Sequence, residues 1–289
     1  MIPRLAAGGL AALACAWTAS AATSPLTLES AKVLFSASPQ TGAFSLTDKR
    51  TGVTWEGSSK QARLGTVTLA QEKGERAVPL DHFQPAAAQG GALVFSHALD
   101  GADALTVRFE LLPDGETLQI SAAGGGPGVR RLRLLEDALA ITDADKGGAL
   151  IPARLGLFVP SDSGVAFRRD FRTSEYEGCH AEMVGLFKAG SALLLSWHDA
   201  DSVYQLASVT NACPVPGAKQ ALLSSMDLSP HETALRIRLL GKATYGGVAR
   251  AYREEAARKG YLVKSSDKVR ELPRREALFG ASKIGRAHV

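Results

Sequence analysis

The stretch Leu105–Ser121, LTVRFELLPDGETLQIS, decides the fold. Apolar and polar residues alternate from Leu105 to Leu111, the period of a strand with one buried face. Alternation resumes in Thr117-Leu118-Gln119-Ile120-Ser121. Pro113-Asp114-Gly115 separates the two runs. There Pro pre-sets φ and Gly accepts a positive φ, so the segment predicts an antiparallel pair joined by a tight turn.

The same signals extend in both directions. Upstream, Leu93–His97 pairs naturally with Leu105–Leu111, and Ala86–Gly91 reads as a small-residue turn. Arg63–Ala70 and Val78–Phe83 are further strands. Phe44 and Leu46 share one face of a run that turns at Asp48–Gly52 and returns through Val53-Thr54-Trp55. Downstream, Gly124–Gly128 is read as a loop between sheets. A phosphate loop would need a strand-then-helix frame and a Lys-Ser/Thr pair, neither of which follows. Arg131 and Arg133 alternate with Leu132 and Leu134 in a half-exposed strand, followed by strand signals at Ala138–Thr142. Val203–Val209, Gln220–Ser225 and Thr233–Leu240 continue the pattern. One helix stands out at Thr244–Lys259, with Val248, Ala251, Tyr252 and Ala256 on one side and Gly260 as its stop.

Roughly fifteen short strands followed by one helix define an all-β chain, a large two-sheet antiparallel sandwich. Alternating βα units are absent, which excludes a doubly wound parallel sheet. The organisation expected is a sandwich over residues 22–241, then a helix and linker over 242–282.

Both ends of the 289-residue chain are set aside. Arg4, the apolar run Leu5–Trp17 and the small-x-small site Ala19-Ser20-Ala21 form a secretory signal peptide, cleaved after Ala21. That predicts export to the periplasm or beyond and no membrane span. A lipoprotein reading through Cys15 fits less well, because Leu13 is one place too late for a lipobox. Residues 283–289, KIGRAHV, read as the translation of a sequencing adapter, which would place the natural end near Ser282. Without Arg4, Lys283 and Arg286, 30 of the 33 basic residues stand against 29 acidic ones. A chain so nearly neutral gives no reason to expect nucleic acid or an anionic membrane as partner. Cys179 and Cys213 remain after export, and either a disulfide or two separate buried thiols fits them.

The densest unusual chemistry lies between Leu150 and Asp199. As a strand, Glu175, Glu177 and Cys179 would share one face, with Tyr176, Gly178 and His180 on the other. Two such carboxylates would stand roughly 6–7 Å apart, within the range glycosidases use. Catalytic pairs, however, normally flank the sugar from two sides, so sugar-hydrogen-bonding or solvated acids are the better reading. Glu175, His180, Glu182 and His198 match no known metal-ligand spacing, and no metal site is assigned. Asp162, Asp199 and Asp201 offer oxygen ligands that leave calcium possible, though Asp162 sits in ordinary turn composition. Arg168-Arg169-Asp170-Phe171-Arg172 is either an exposed set of paired charges or, with Phe171, Tyr176 or Trp197 stacking, a carbohydrate contact. Trp197 is read as core. The candidate substrate-binding residues are Arg172, Glu175, Tyr176, Glu177 and His180.

Four segments together resemble one family. They are the Thr-Gly-x-Phe-x-Leu-x-Asp-x-x-Thr-Gly-x-x-Trp hairpin at Thr41–Trp55 and the Leu-Ile-Pro-x-Arg-x-Gly segment at Leu150–Gly156. Tyr-x-x-x-Ala-x-x-Tyr-Arg-x-x-Ala-x-x-Lys-Gly at Tyr245–Gly260 and Lys-x-x-x-x-Pro-x-x-x-x-Leu-x-Gly-Ala at Lys268–Ala281 complete the set. The chain resembles the lead-in to the barrel of bacterial glycoside hydrolases related to endo-α-N-acetylgalactosaminidase. Its sandwich is similar to the galactose-mutarotase-like supersandwich. The resemblance implies a (β/α)8 catalytic barrel beyond Ser282, with its nucleophile and general acid there, so no catalytic residue is assigned within this chain. Two alternatives stay open. One is a self-contained aldose-epimerase-like enzyme using His180 or His198 with Glu175 or Glu177 as acid and base. The other is a plain carbohydrate-binding or structural sandwich.

Overall fold

The computed structural model describes residues 24–57, 63–89, 91–99, 104–173, 175, 177–199, 201–211, 213–228, 234–262 and 265–271. The leader with Cys15, Tyr176, most of the linker segment Lys268–Ala281 and the tail 283–289 lie outside the described residues.

The first four strands are β1 (Leu26–Glu29), β2 (Val33–Ala37), β3 (Phe44–Asp48) and β4 (Val53–Glu56). Next come β5 (Gly65–Gln71), β6 (Gly74–Leu80), β7 (Gln84–Gln89), β8 (Ala92–His97), β9 (Leu105–Leu111) and β10 (Thr117–Gly124). The middle of the chain forms β11 (Val129–Thr142), β12 (Gly148–Ile151), β13 (Leu157–Pro160) and β14 (Phe167–Arg172). The last strands are β15 (Met183–Lys188), β16 (Ser191–Ser196), β17 (Val203–Val209), β18 (Ala221–Leu228) and β19 (Ala234–Gly241). Two helices follow, α1 (Tyr245–Arg258) and α2 (Ser265–Glu271).

The strands form a nine-stranded sheet, β13-β12-β15-β16-β19-β10-β9-β8-β7, and a six-stranded sheet, β14-β17-β18-β11-β5-β6, with every pair antiparallel. These are the two layers of the expected sandwich. A four-stranded sheet, β1-β2-β3-β4, is added at the N-terminus. Its inward Phe35 and Phe44 pack on Phe109 of β9 with ring centroids 5.0 and 5.9 Å away, so it shares the main core.

The Pro113-Asp114-Gly115 turn forms as expected. Gly115 takes φ 66°, and the Asp114 carboxylate accepts the backbone N–H groups of Glu116 and Thr117 and the Thr117 hydroxyl. Burial would raise the Asp114 pKa, but those donors outweigh it and hold the group below its ordinary value. The Thr41–Trp55 hairpin also forms, with Phe44, Leu46 and Trp55 buried. Its fully buried Asp48 accepts Arg50 and the Gly241 backbone N–H, 3.0 Å away at the end of β19. That one carboxylate joins the N-terminal sheet to the nine-stranded one.

One expectation is corrected. Ala86–Gln89 is not a turn but part of β7, which pairs with β8; the reversal falls between Gln89 and its partner Ala92, where Gly91 takes φ 81°. Within the segment after α1, Ser265–Glu271 forms a second, short helix.

β16 is buried along its whole length because it is covered on both faces. Leu193 and Leu195 enter the main core, while Ala192 and Leu194 lie beneath α1 with Val248 and Ala251. The continuous apolar run Ala192–Leu195 is therefore two-sided burial. Gly185 of β15 makes the helix contact possible, because a Cβ there would stand 2.8 Å from Val248 Cγ1.

Candidate functional site

The expected site loop leaves β14 at Arg172. The described residues 173, 175 and 177–182 do not extend that strand, and this corrects the alternating reading of Glu175, Glu177 and Cys179. The chain reverses instead: the Glu175 N–H donates to Arg172 O at 3.3 Å and the Gly178 N–H to Glu175 O at 3.0 Å. Gly178 comes so close to β14 that a Cβ on it would lie 1.5 Å from Arg172 O. Only glycine fits that crossing. The returning chain is then tied to the segment after β12 by an Ala153–Cys179 bridge and by the His180 N–H on Pro152 O at 2.8 Å. Beneath it, Trp197 is 2% exposed, as its core reading requires, and its indole N–H donates to Thr173 Oγ1 at 3.2 Å.

This folding collects the charged candidates on one exposed surface. Arg172 pairs with Glu175 at 3.4 Å. Glu177 takes Arg169 at 2.7 Å and also Arg154, a residue held at φ 54° in the turn after β12. Further along β14, Arg168 pairs with Asp137 at 2.9 Å, and Gln205 donates to Asp170. Phe171 is buried in the main core, and Phe167 packs partly buried against the same core. The charges of 168–172 are thus paired with neighbouring side chains, and each of Glu175 and Glu177 is bound to arginine. Such a surface offers alternating guanidinium donors and carboxylate acceptors, suited to hydroxyl-rich ligands or to a polar protein face. Next to it Leu155, at the tip of the Arg154–Gly156 turn, is fully exposed.

The cysteines are not bonded to each other. Both are free thiols: Cys179 is buried in the main core, whereas Cys213 packs beside the Ala207, Ala221 and Leu223 cluster. The bridge weighed from their even count is corrected by this separation into different clusters. Burial pushes the Cys179 pKa up to about 12. Of the four residues weighed as metal ligands, Glu182 and His198 meet at 3.2 Å. Among the described residues no group of three or more His, Cys, Asp and Glu side chains converges as a metal site, and this applies equally to the calcium candidates Asp162, Asp199 and Asp201.

Two features escaped the sequence. Glu255 of α1 is only 5% exposed and accepts Ser196 Oγ at 2.8 Å, Arg236 at 3.0 Å and Lys259 at 3.2 Å. It lines a cavity of about 140 Å³ with Trp197, His198 and Ala234. Its signal was its helical spacing, seven residues on from Val248. The second is a groove of about 380 Å³ on the outer face of the six-stranded sheet, lined by Arg63, Thr66, Thr68, Arg131, Arg133 and Glu136 among others. Its signal was the doublet Leu134-Leu135 followed by Glu136-Asp137, which breaks the period of two. At that break β11 shifts register, and Asp137 and Leu139 adopt φ near 50°. The bulge aims Glu136 at Arg63 and Asp137 at Arg168.

No family model matches the sequence, and no curated protein matches it. In three dimensions the chain has a glycoside-hydrolase-related β-sandwich fold. It is similar to α-N-acetylgalactosaminidase NagBb from Bifidobacterium bifidum in its GalNAc complex, with TM-score 0.67 and 15% identity over 88% of this chain. The ligand-free form of that enzyme gives TM-score 0.66 and 14% identity over the same share. In both, this chain spans 42% of the enzyme's length. At such identities the likeness is one of fold. Among the described residues no helix is long and apolar enough to cross a membrane.

Proposed function

We propose that this chain is the non-catalytic, carbohydrate-associated β-sandwich of an exported glycoside hydrolase whose catalytic barrel follows it. The observation that carries the reading is the asymmetry of the fold match: 88% of this chain corresponds to 42% of an α-N-acetylgalactosaminidase. More than half of that enzyme therefore lies outside the shared fold. The arginine-bound state of Glu175 and Glu177 supports it, because a glycosidase acid and nucleophile must be open to the sugar. In this reading the loop bearing Arg172, Glu175, Tyr176, Glu177 and His180 faces the barrel and supplies substrate or interface contacts. The signal peptide directs export, with a mature N-terminus at Ala22.

The test has two arms. Reading the gene beyond Ser282 in an independent assembly is expected to continue the frame into a barrel-length segment. The purified chain is expected to leave an aryl α-N-acetylgalactosaminide intact and to leave the spontaneous mutarotation rate of galactose unchanged. Hydrolysis or faster mutarotation by the chain alone would refute the non-catalytic assignment. A stop codon at the natural end of a 289-residue gene would refute the missing barrel.

A further inference from the structure

The groove on the six-stranded sheet lies apart from the Arg172–His180 loop and has its own chemistry. Its floor is formed by Thr66 and Thr68 of β5 and Ala77 and Pro79 of β6, small side chains that leave the strand surface open. Its walls are charged. Arg63 donates through Nε at 3.0 Å and Nη2 at 2.7 Å to Glu136 Oε2, which also accepts the Thr66 hydroxyl at 2.9 Å. Arg133 grips Asp227 through Nε and, at 2.8 Å, through Nη2. Arg131 reaches the same Asp227 only at 3.4 Å through one nitrogen, and its side chain is 55% exposed. Three guanidinium groups thus face two carboxylates. The surplus cation is Arg131, which lines the groove with more than half of its side chain exposed.

Three properties of the groove define a ligand. Its volume of about 380 Å³ lies in the range of small-molecule sites, about 300–1,000 Å³. Among the described residues no aromatic side chain lines it, so recognition there falls to its polar groups. Its fixed donors are planar guanidinium forks, matched to a carboxylate, beside hydroxyl and carboxylate acceptors matched to ring hydroxyls. We infer that this groove is a second saccharide site that takes an acidic sugar, a uronic acid unit whose carboxylate sits on Arg131 and whose hydroxyls meet Thr68 and Glu136. The sugar part of this inference rests on the carbohydrate reading proposed above; the acid part rests on the arginines alone.

Titration of the full chain with digalacturonate, followed by calorimetry or by amide chemical shifts, tests it. Binding is expected, with shifts centred on β5, β6 and β11 and with affinity falling as salt rises. Arg131→Ala is expected to weaken it at least tenfold, and Arg131→Lys less, because the charge remains while the fork is lost. Arg270→Ala, on the exposed surface of α2, is expected to leave it unchanged, and matched melting curves check that each variant is folded. Equal binding of neutral galactobiose would overturn the acid part. Acetate binding as tightly as digalacturonate would overturn the sugar part. Absence of digalacturonate binding, or an unaltered affinity in Arg131→Ala, would overturn the site. None of these outcomes bears on whether the chain hydrolyses a glycoside, which the earlier assay decides separately.

Discussion

Glu255→Ala is the substitution that most directly tests how α1 is held on the nine-stranded sheet. The carboxylate is buried between helix and sheet and gathers a hydroxyl from β16, a guanidinium from β19 and the ammonium of Lys259. Removing one partner of a buried ion pair costs about 3–5 kcal/mol, because the charges left behind lose their compensation. Here the figure must be reduced. Arg236 is 36% exposed and also holds Gln119, so it can turn to water, and Lys259 keeps the Trp197 carbonyl. The net expectation is a loss of about 2–3 kcal/mol. With a urea m-value near 3 kcal/mol/M, the upper end for small proteins, the unfolding midpoint falls by roughly 1 M. The pH dependence gives a second readout. Burial alone would raise the Glu255 pKa, but hydrogen bonds from Ser196, Lys259 and Arg236 outweigh it, so the folded value lies below the ordinary 4.5. A depressed folded pKa stabilises above the unfolded value and loses that contribution as pH falls through the folded one. Wild type should therefore lead the variant at pH 7 and lose its lead below about pH 4.5. A midpoint within about 0.2 M of wild type at pH 7, or a gap that stays constant down to pH 3, would refute this account and leave Val248 and Ala251 as the whole anchor.

Three further outcomes are expected. Gly185→Ala forces a methyl into Val248 and should cost about 1–3 kcal/mol by chemical denaturation; Val248→Ala in the same chain should recover part of it, whereas simple addition of the two losses would show that the helix does not press on that glycine. Iodoacetamide at pH 8 should label Cys213 in the folded chain and spare Cys179, whose buried thiol carries little thiolate at that pH; an intact mass two hydrogens lighter, with neither residue labelled, would establish a disulfide instead. Gly178→Ala should unlace the loop from Arg172, speeding hydrogen exchange at the Gly178 and His180 amides at least tenfold while β16 stays protected; unchanged protection would mean that the loop tolerates the extra methyl.

Most of the fold was legible because its rules are local. The alternation of Leu105–Ser121, the Pro-Asp-Gly turn and the Phe44-to-Trp55 hairpin each carry a period of two that fixes which side chains go inward. The face of α1 was readable for the same reason. What failed to show depends on distant parts of the chain. Glu255 looks like one more surface acid until Arg236 and Ser196 arrive from two strands. Residues 173–182 have strand-like composition, and only the close pass of Gly178 over Arg172, with Pro152 as acceptor for His180, reveals a reversal. The groove depends on a register break in β11, and what an irregular doublet does is set by the strands on either side of it.

The place of β19 has a consequence for how the chain comes to its fold. The last of the described strands in sequence is a central strand in space, seated between β10 and β16. Arg236 meets Gln119 at a sequence separation of 117. Until residues 234–241 arrive, β10 presents an unpaired edge and the nine-stranded sheet exists only as two separate halves. Contacts of such long sequence separation make folding slow, because chain closure comes before its reward. A nascent chain of this design would stay open until nearly all of the sandwich has been synthesised, and would then close in one late step.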